Sequence, residues 1–358
     1  MPSVDFAPVR SGAEACVFGE LADIGAQIMD ESKRLSLPIR PRRNRKSDAI
    51  RKLCRETVLS PSNLVLPLFV HDGATDEAID SMPGCVRWSV EGLVREAGEA
   101  HALGINAVVL FPAIAAELKT PDGAECANET GLVPRAVRAL KEQYPELAVV
   151  TDIALDPYNS DGHDGVVAAD GRILNDETVA ILCQQAICHA RAGADIVAPS
   201  DMMDGRVGEI RSALDAAGFE EVSILAYSAK YASGFYGPFR GALESAPKSG
   251  DKKTYQMDPG NSLEALREAV LDVEEGADMV MVKPAGPYLD IVRGISENVE
   301  VPVAAYQVSG EYLMIKSAVA AGWLDERAVV MESLLGIRRA GASVILTYFA
   351  KEAAAWLA

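Results

Sequence analysis

Four times along this chain a glycine closes a polar helical stretch and opens a short apolar run. The joints read Leu103-Gly104-Ile105-Asn106-Ala107-Val108-Val109-Leu110, Ala192-Gly193-Ala194-Asp195-Ile196-Val197-Ala198, Glu275-Gly276-Ala277-Asp278-Met279-Val280-Met281-Val282 and Ala340-Gly341-Ala342-Ser343-Val344-Ile345-Leu346. Glycine just past a helix end takes the left-handed conformation without a Cβ penalty. An uninterrupted apolar run after it suits a parallel strand buried on both faces. Counting such runs gives eight strands, over Leu64–Val70, Ala107–Phe111, Val149–Ile153, Ile196–Ala198, Ile224–Tyr227, Met279–Val282, Val303–Tyr306 and Val344–Leu346. Helical patterns fall between most of them, as at Val90–Leu103, Asp176–Ala192, Ser262–Glu275, Glu311–Ala320 and Asp325–Arg339. Asn261 and Ser262 are the cap candidates for the third of these, with Glu264 in its first turn. Eight strand–helix units predict an α/β fold, a (β/α)8 TIM barrel. A doubly wound open sheet is the alternative; no Gly-x-Gly-x-x-Gly loop follows the first strand, and the count favours the barrel. Residues 1–45 carry no sustained amphipathic pattern and read as an extended N-terminal arm, with 46–358 as the barrel.

A barrel places its chemistry just after the C-terminal ends of its strands. His71-Asp72-Gly73, Pro112-Ala113, Asp152–Asp164, Pro199-Ser200-Asp201, Lys230, Lys283, Gln307-Val308-Ser309 and Tyr348 all fall there. Lys230 and Lys283 each end an apolar run. An ammonium pressed against a dry strand end loses hydration, so its pKa falls. A fall from about 10.4 to about 7 corresponds to roughly 4–5 kcal/mol. The neutral amine that results can attack a ketone or aldehyde and form a Schiff base. The competing reading is that one or both lysines snorkel to solvent. Their coincidence with strand ends favours chemistry, on two carbonyls or with one lysine as electrostatic helper.

The loop after strand three, Asp152 to Gly165, holds Asp152, Asp156, Asp161, Asp164 and His163. Proton transfer, a hard-cation site of oxygen ligands, and a plain Asp/Gly turn all fit that composition. A thiolate zinc site does not, because the stretch has no Cys. After strand five, residues 234–256 are Gly/Pro-punctuated and locally basic, which fits a lid over the site or a solvated surface loop. Arg240 and Lys252 in it could hold a substrate carboxylate. Glu268, mid-helix, reads by itself as a solvated residue more readily than as a metal ligand.

Charge and composition exclude several classes. The 358 residues carry a net charge of −18, which opposes a nucleic-acid partner. The one basic cluster, Arg40 to Lys46, reads as a solvated or subunit-contacting arm. No apolar run is long enough to span a membrane, and the N-terminus has neither a signal-peptide layout nor the Arg-rich, acid-poor look of a transit peptide. Six cysteines without a C-x-x-C pair predict reduced thiols and no zinc knuckle.

Several long segments together resemble the porphobilinogen synthase (5-aminolevulinate dehydratase) family. They are Tyr227-Ser228-Ala229-Lys230-Tyr231-Ala232-Ser233, Tyr236-Gly237-Pro238-Phe239-Arg240, Met281-Val282-Lys283-Pro284 with Pro287-Tyr288-Leu289-Asp290, and Tyr306-Gln307-Val308-Ser309-Gly310-Glu311. The likeness runs from about Arg40 to the C-terminus and implies a (β/α)8 barrel with an N-terminal arm. It implies condensation of two 5-aminolevulinate molecules to porphobilinogen, with loss of two waters, in tetrapyrrole biosynthesis. Lys230 and Lys283 match the two Schiff-base lysines, Lys283 for the propionate side of the product and Lys230 for the acetate side. Ser309 and Tyr348 match the residues that bind the first substrate's carboxylate; Arg240, Lys252 and Gln256 match those that bind the second's. Lys252 stands where many members have Arg, so charge is kept and the planar fork is not. Zinc-dependent members carry three Cys where this chain has Ala154, Asp156 and Asp164. The resemblance is therefore to the magnesium-type, plant- and algal-like branch, with no zinc expected. It leaves Asp152, Asp156 and Asp164 as acid/base groups or active-site cation ligands, and matches Glu268 to an allosteric Mg2+ ligand. It further implies a homo-octamer, and a plastid stroma or a bacterial cytoplasm. A class I aldolase, which needs one such lysine, and a barrel without activity are the competing readings.

Overall fold

The computed structural model describes residues 37–243 and 247–358. Most of the expected arm, with Cys16, lies outside them. Contacts divide the chain into two compact units, Met1–Glu56 and Thr57–Ala358. The division falls beyond the expected boundary at 45/46. Residues 46–56 contain a helix, Asp48–Leu53, that belongs with the one-turn helix Pro41–Arg45. Ser47 Oγ caps it by accepting from Ile50 N.

The second unit is a closed barrel of eight parallel strands. They are β1 Leu64–His71, β2 Ala107–Ala113, β3 Ala148–Ile153, β4 Ile196–Pro199, β5 Ser223–Lys230, β6 Met279–Lys283, β7 Val303–Gln307 and β8 Val344–Thr347. Each pairs with the next in parallel, and β8 returns to β1 through Leu64↔Ile345 and Val65↔Leu346. All eight predicted runs are strands, and the observed elements extend them by up to three residues at an end. The turn glycines behave as the joints require: Gly193 and Gly276 both stand at φ 102°, ending the helices before β4 and β6.

Helices cover the outside. Val90–Ala102 buries Leu93, Ala97 and Ala100, one stripe at helical spacing, and Ser89 Oγ caps it by accepting from Gly92 N at 3.0 Å. Asn175–Ala192, Leu263–Glu274, Ser309–Ala320 and Glu326–Ala340 correspond to the other predicted helices. Ser262 occupies the N-cap position of Leu263–Glu274 but makes no side-chain cap bond, because its backbone is already helical (φ −113°, ψ −37°). Asn261 instead donates to Glu264 Oε2 at 2.6 Å. Further helices, Leu132–Gln143, Arg206–Ala216, Leu289–Ser296 and Ala350–Leu357, complete the wall. The five described cysteines are all free, and no described helix is long and apolar enough to cross a membrane.

Candidate active site

Lys230 and Lys283 are the last residues of β5 and β6 and are direct register partners across that strand pair. Both are buried, at 6% and 7% exposure, so the snorkelling alternative is excluded. Arg240, Lys252, Gln256, Asp156, Tyr236 and Phe239 line the same pocket. The free space they enclose is about 30 Å³, room for about one or two waters. Lining side chains such as Phe239, Arg240, Lys252 and Gln256 must therefore shift to admit a substrate.

The two amines have different surroundings. Lys230 Nζ lies 3.0 Å from Asp164 Oδ2 and also donates to the Ser200 carbonyl. Lys283 has no carboxylate partner among the described residues. Four rings surround its Nζ instead: Tyr306 at 4.7 Å to the centroid, Tyr227 at 5.0 Å, Phe239 at 5.2 Å and Tyr236 at 5.3 Å. Burial, then the charge of Lys230, lowers the Lys283 ammonium to about 7. Tyr236 OH donates to the Lys283 carbonyl at 3.0 Å, which fixes that ring.

Asp164 is the hub of the polar half. It is fully buried, which by itself would raise its pKa, yet the ammonium groups of Lys230 and Lys252 hold it below the usual carboxylate range. Lys252 Nζ lies 2.5 Å from Asp164 Oδ1 and 3.4 Å from Asp156 Oδ2. Both Asp164 oxygens are thus engaged by cations of the protein, and a metal ion there would have to displace an ammonium. Asp152 differs again. Burial, then the charge of Asp156, raises it to about 7, and its Oδ1 is buried without a hydrogen bond. An acid and an amine both poised near neutrality is an arrangement for moving a proton.

The described residues of the 234–256 segment are tied down at several points. Lys248 N donates to Asp161 O at 3.0 Å. His163 bridges Tyr255 OH and the Ser249 carbonyl, each at 3.0 Å. Met257 N donates to the Lys230 carbonyl at 3.0 Å. At the other end Ser309 Oγ accepts from Phe239 N at 3.1 Å, and Tyr348 OH pairs with Tyr306 OH at 2.9 Å. The Gln256 amide oxygen is buried and unpaired.

Other expected positions lie elsewhere. Asp72 pairs with Arg135 at 2.6 Å, and His71 Nε2 meets Thr75 O at 2.9 Å; neither lines the lysine pocket. Glu268 lines a separate cleft of about 580 Å³ with Asp170, Asp204 and Glu264. Burial and the nearby carboxylates raise its pKa against the opposing charge of Arg206. Among the described residues no three His, Cys, Asp or Glu converge to hold a metal ion. A single half-buried carboxylate in an acidic cleft fits a Mg2+ ion that keeps most of its waters. The aromatic cage has no counterpart among the sequence expectations, although Tyr227, Tyr236, Phe239 and Tyr306 stand in the motifs above. The available signal was three aromatics on or just beyond β5, the Lys230 strand, and a fourth near the end of β7.

Comparison with known proteins places this geometry. The family described as Delta-aminolevulinic acid dehydratase matches residues 38–356. The chloroplastic delta-aminolevulinic acid dehydratase of Physcomitrium patens is 60% identical over 325 residues, covering 90% of this chain and 75% of the relative. That of Arabidopsis thaliana (dehydratase 1, chloroplastic) is 58% identical over 338 residues, covering 94% and 78%. The crystal structure of the Toxoplasma gondii ME49 delta-aminolevulinic acid dehydratase (porphobilinogen synthase) with its reaction product porphobilinogen superposes with a TM-score of 0.89 at 56% identity, covering 90% of this chain and 92% of that one. With paired lysines at adjoining strand ends and likeness at this level along nine-tenths of its length, the chain belongs to the delta-aminolevulinic acid dehydratase family.

Proposed function

We propose that this protein is a porphobilinogen synthase, a hydro-lyase that joins two 5-aminolevulinate molecules into porphobilinogen and releases two waters. The observation that carries the reading is the register pairing of Lys230 with Lys283 in one buried pocket. Each amine attacks a substrate ketone carbon, and the carbonyl oxygen leaves as water, giving an iminium. One iminium loses a proton to become an enamine nucleophile; the other is a stronger electrophile than the free ketone. Holding both in one pocket removes much of the entropy cost of bringing them together.

Lys283, with its lowered pKa, supplies a neutral nucleophile near pH 7 and takes the substrate of the propionate side. The four rings around it favour the iminium cation that follows. Lys230 takes the acetate-side substrate, with Asp164 balancing its charge. Ser309 and Tyr348 receive the first substrate's carboxylate. Arg240, Lys252 and Gln256 receive the second's, Lys252 leaving Asp156 and Asp164 to do so. Asp152, near neutral pKa, is the candidate proton carrier.

Three further assignments belong to the same reading: Glu268 as an Mg2+ ligand that tunes activity from outside the barrel, a homo-octamer, and a plastid location like that of the chloroplastic relatives. Bound there, Mg2+ supplies positive charge and ordered waters, and no step of the condensation runs through it.

Purified protein given 5-aminolevulinate should form porphobilinogen in a colour assay. Borohydride should trap labelled substrate on both lysines. Full turnover by Lys230→Ala would end the two-imine scheme. Light scattering with and without EDTA tests the octamer and its Mg2+ dependence: a particle mass other than eight chains counts against the first, and an unchanged particle and rate count against the second.

A further inference from the structure

The Tyr227 ring lies beside the Lys283 amine and Lys230 lines the pocket with that amine, although the two are three residues apart on one strand. Side chains on a strand alternate between faces, so an offset of three puts them on opposite sides of the barrel wall. Yet the Tyr227 ring lies 5.0 Å from Lys283 Nζ, and Lys230 lines the same pocket. The register explains it. Val280 faces Ala226 and Val282 faces Ala229, so Tyr227 and Ser228 together oppose Met281 alone. That is a β-bulge, one extra residue that shifts the phase of everything after it. Without the extra residue, Lys230 would point out of the barrel whenever Tyr227 points in.

A bulge needs its displaced backbone groups satisfied. The Tyr227 carbonyl accepts from Arg206 NH2 at 3.2 Å. Arg206 opens the helix after β4 and is 2% exposed. Its guanidinium is held by Asp272, at 2.8 Å to Oδ1 and 3.4 Å to Oδ2, on the helix that packs behind β5. Its Nε lies 3.8 Å from Asp201 Oδ2. Asp201 adjoins Ser200, whose carbonyl receives Lys230 Nζ, and it accepts from Met203 N at 2.7 Å. One buried cation therefore touches the bulge on one side and the turn that seats Lys230 on the other.

We infer that Arg206 is a positioning residue for Lys230: braced by Asp272, it holds the Tyr227 bulge that brings Lys230 into phase with Lys283. The inference rests on the two-lysine reading above. Arg206 touches no substrate, and its effect should be selective for Lys230.

The test replaces the ion pair without leaving Asp272 as an uncompensated buried charge. In Arg206→Met/Asp272→Leu, Asp201 keeps its backbone hydrogen bond. The measurement is borohydride trapping of labelled 5-aminolevulinate, with Lys230 and Lys283 quantified separately by peptide mass spectrometry. Displacement of Lys230 by about an ångström should lower its trapping and kcat by about 100-fold while Lys283 trapping stays within about threefold. Arg206→Lys keeps the charge and loses the fork, so it should show the same selectivity at smaller amplitude; it also serves if the double variant does not fold. An unchanged Lys230:Lys283 ratio in the variants, whether both lysines react normally or both fail together, overturns the inference. The wild-type enzyme in the same assay tests the two-lysine reading separately, since absence of product or of either adduct there would sink that reading before any variant is compared.

Discussion

Lys230 and Lys283 face one another across a single strand pair, yet one rests on a carboxylate and the other among aromatic rings. The first is held by charge and hydrogen bonds. The second is stripped of water and of any anionic partner among the described residues. Two identical side chains thereby become two different reagents, which suits a reaction that must treat two identical substrates differently.

The pH dependence of imine formation follows from Lys283. Its ammonium sits at about 7, so the nucleophilic amine is lost as pH falls through that value and gained above it. Single-turnover trapping at Lys283 should therefore rise with a midpoint near pH 7. Asp152 also sits near 7, and its negative charge opposes the lowering of Lys283. Asp152→Asn should move the midpoint down by about 0.5–1 unit. An upward move would contradict the assignment.

Asp164 serves two lysines at once. Asp164→Asn leaves Lys230 and Lys252 buried beside a neutral amide. Stability should fall by about 3–5 kcal/mol, read by urea unfolding, because breaking a buried pair strands the surviving charge. Turnover should fall by about 100-fold or more, since the amine and the carboxylate-binding lysine of the second substrate's site lose their order together. Near-normal activity would show that the hub is dispensable.

The ties between His163 and the 248–256 segment are separable from the chemistry. Tyr255→Phe removes the hydroxyl that meets His163 and Asp164 N. His163→Leu removes both of the bonds that ring makes to the lid. Each should raise KM by about tenfold with kcat within about threefold, the mark of lost binding rather than lost transition-state contact. Equal losses in kcat would assign these residues to the reaction itself.

His189 makes an acid-stability prediction outside the site. Its ring is fully buried with neither nitrogen bonded, and burial lowers its pKa from 6.5 to about 3. The folded protein thus binds one proton fewer than the unfolded chain between those values. That contribution is fully present above pH 6.5 and is lost as pH falls toward 3. His189→Leu should make stability flatter over this window, by about 3 kcal/mol at pH 4. Parallel stability–pH curves for the two proteins would refute it.

The glycine joints and apolar runs located all eight strands because each is a local property, written within about eight residues. They also placed both lysines at strand ends, since strand length and side-chain identity are read directly from the chain. Some helices were harder. Leu132–Gln143 carries Pro134, which reads as a breaker yet sits harmlessly in the first turn. Arg206–Ala216 starts only after the left-handed Gly205.

What the amino-acid order could not specify is which groups meet. Asp164 reaches Lys230 and Lys252 from 66 and 88 positions away, and Arg206 reaches Asp272 from 66. Such contacts exist only once the barrel has closed, and they decide which lysine is bare and which is paired. The bulge at Tyr227 is of the same kind: it is a mismatch between two strands, and neither strand alone contains it.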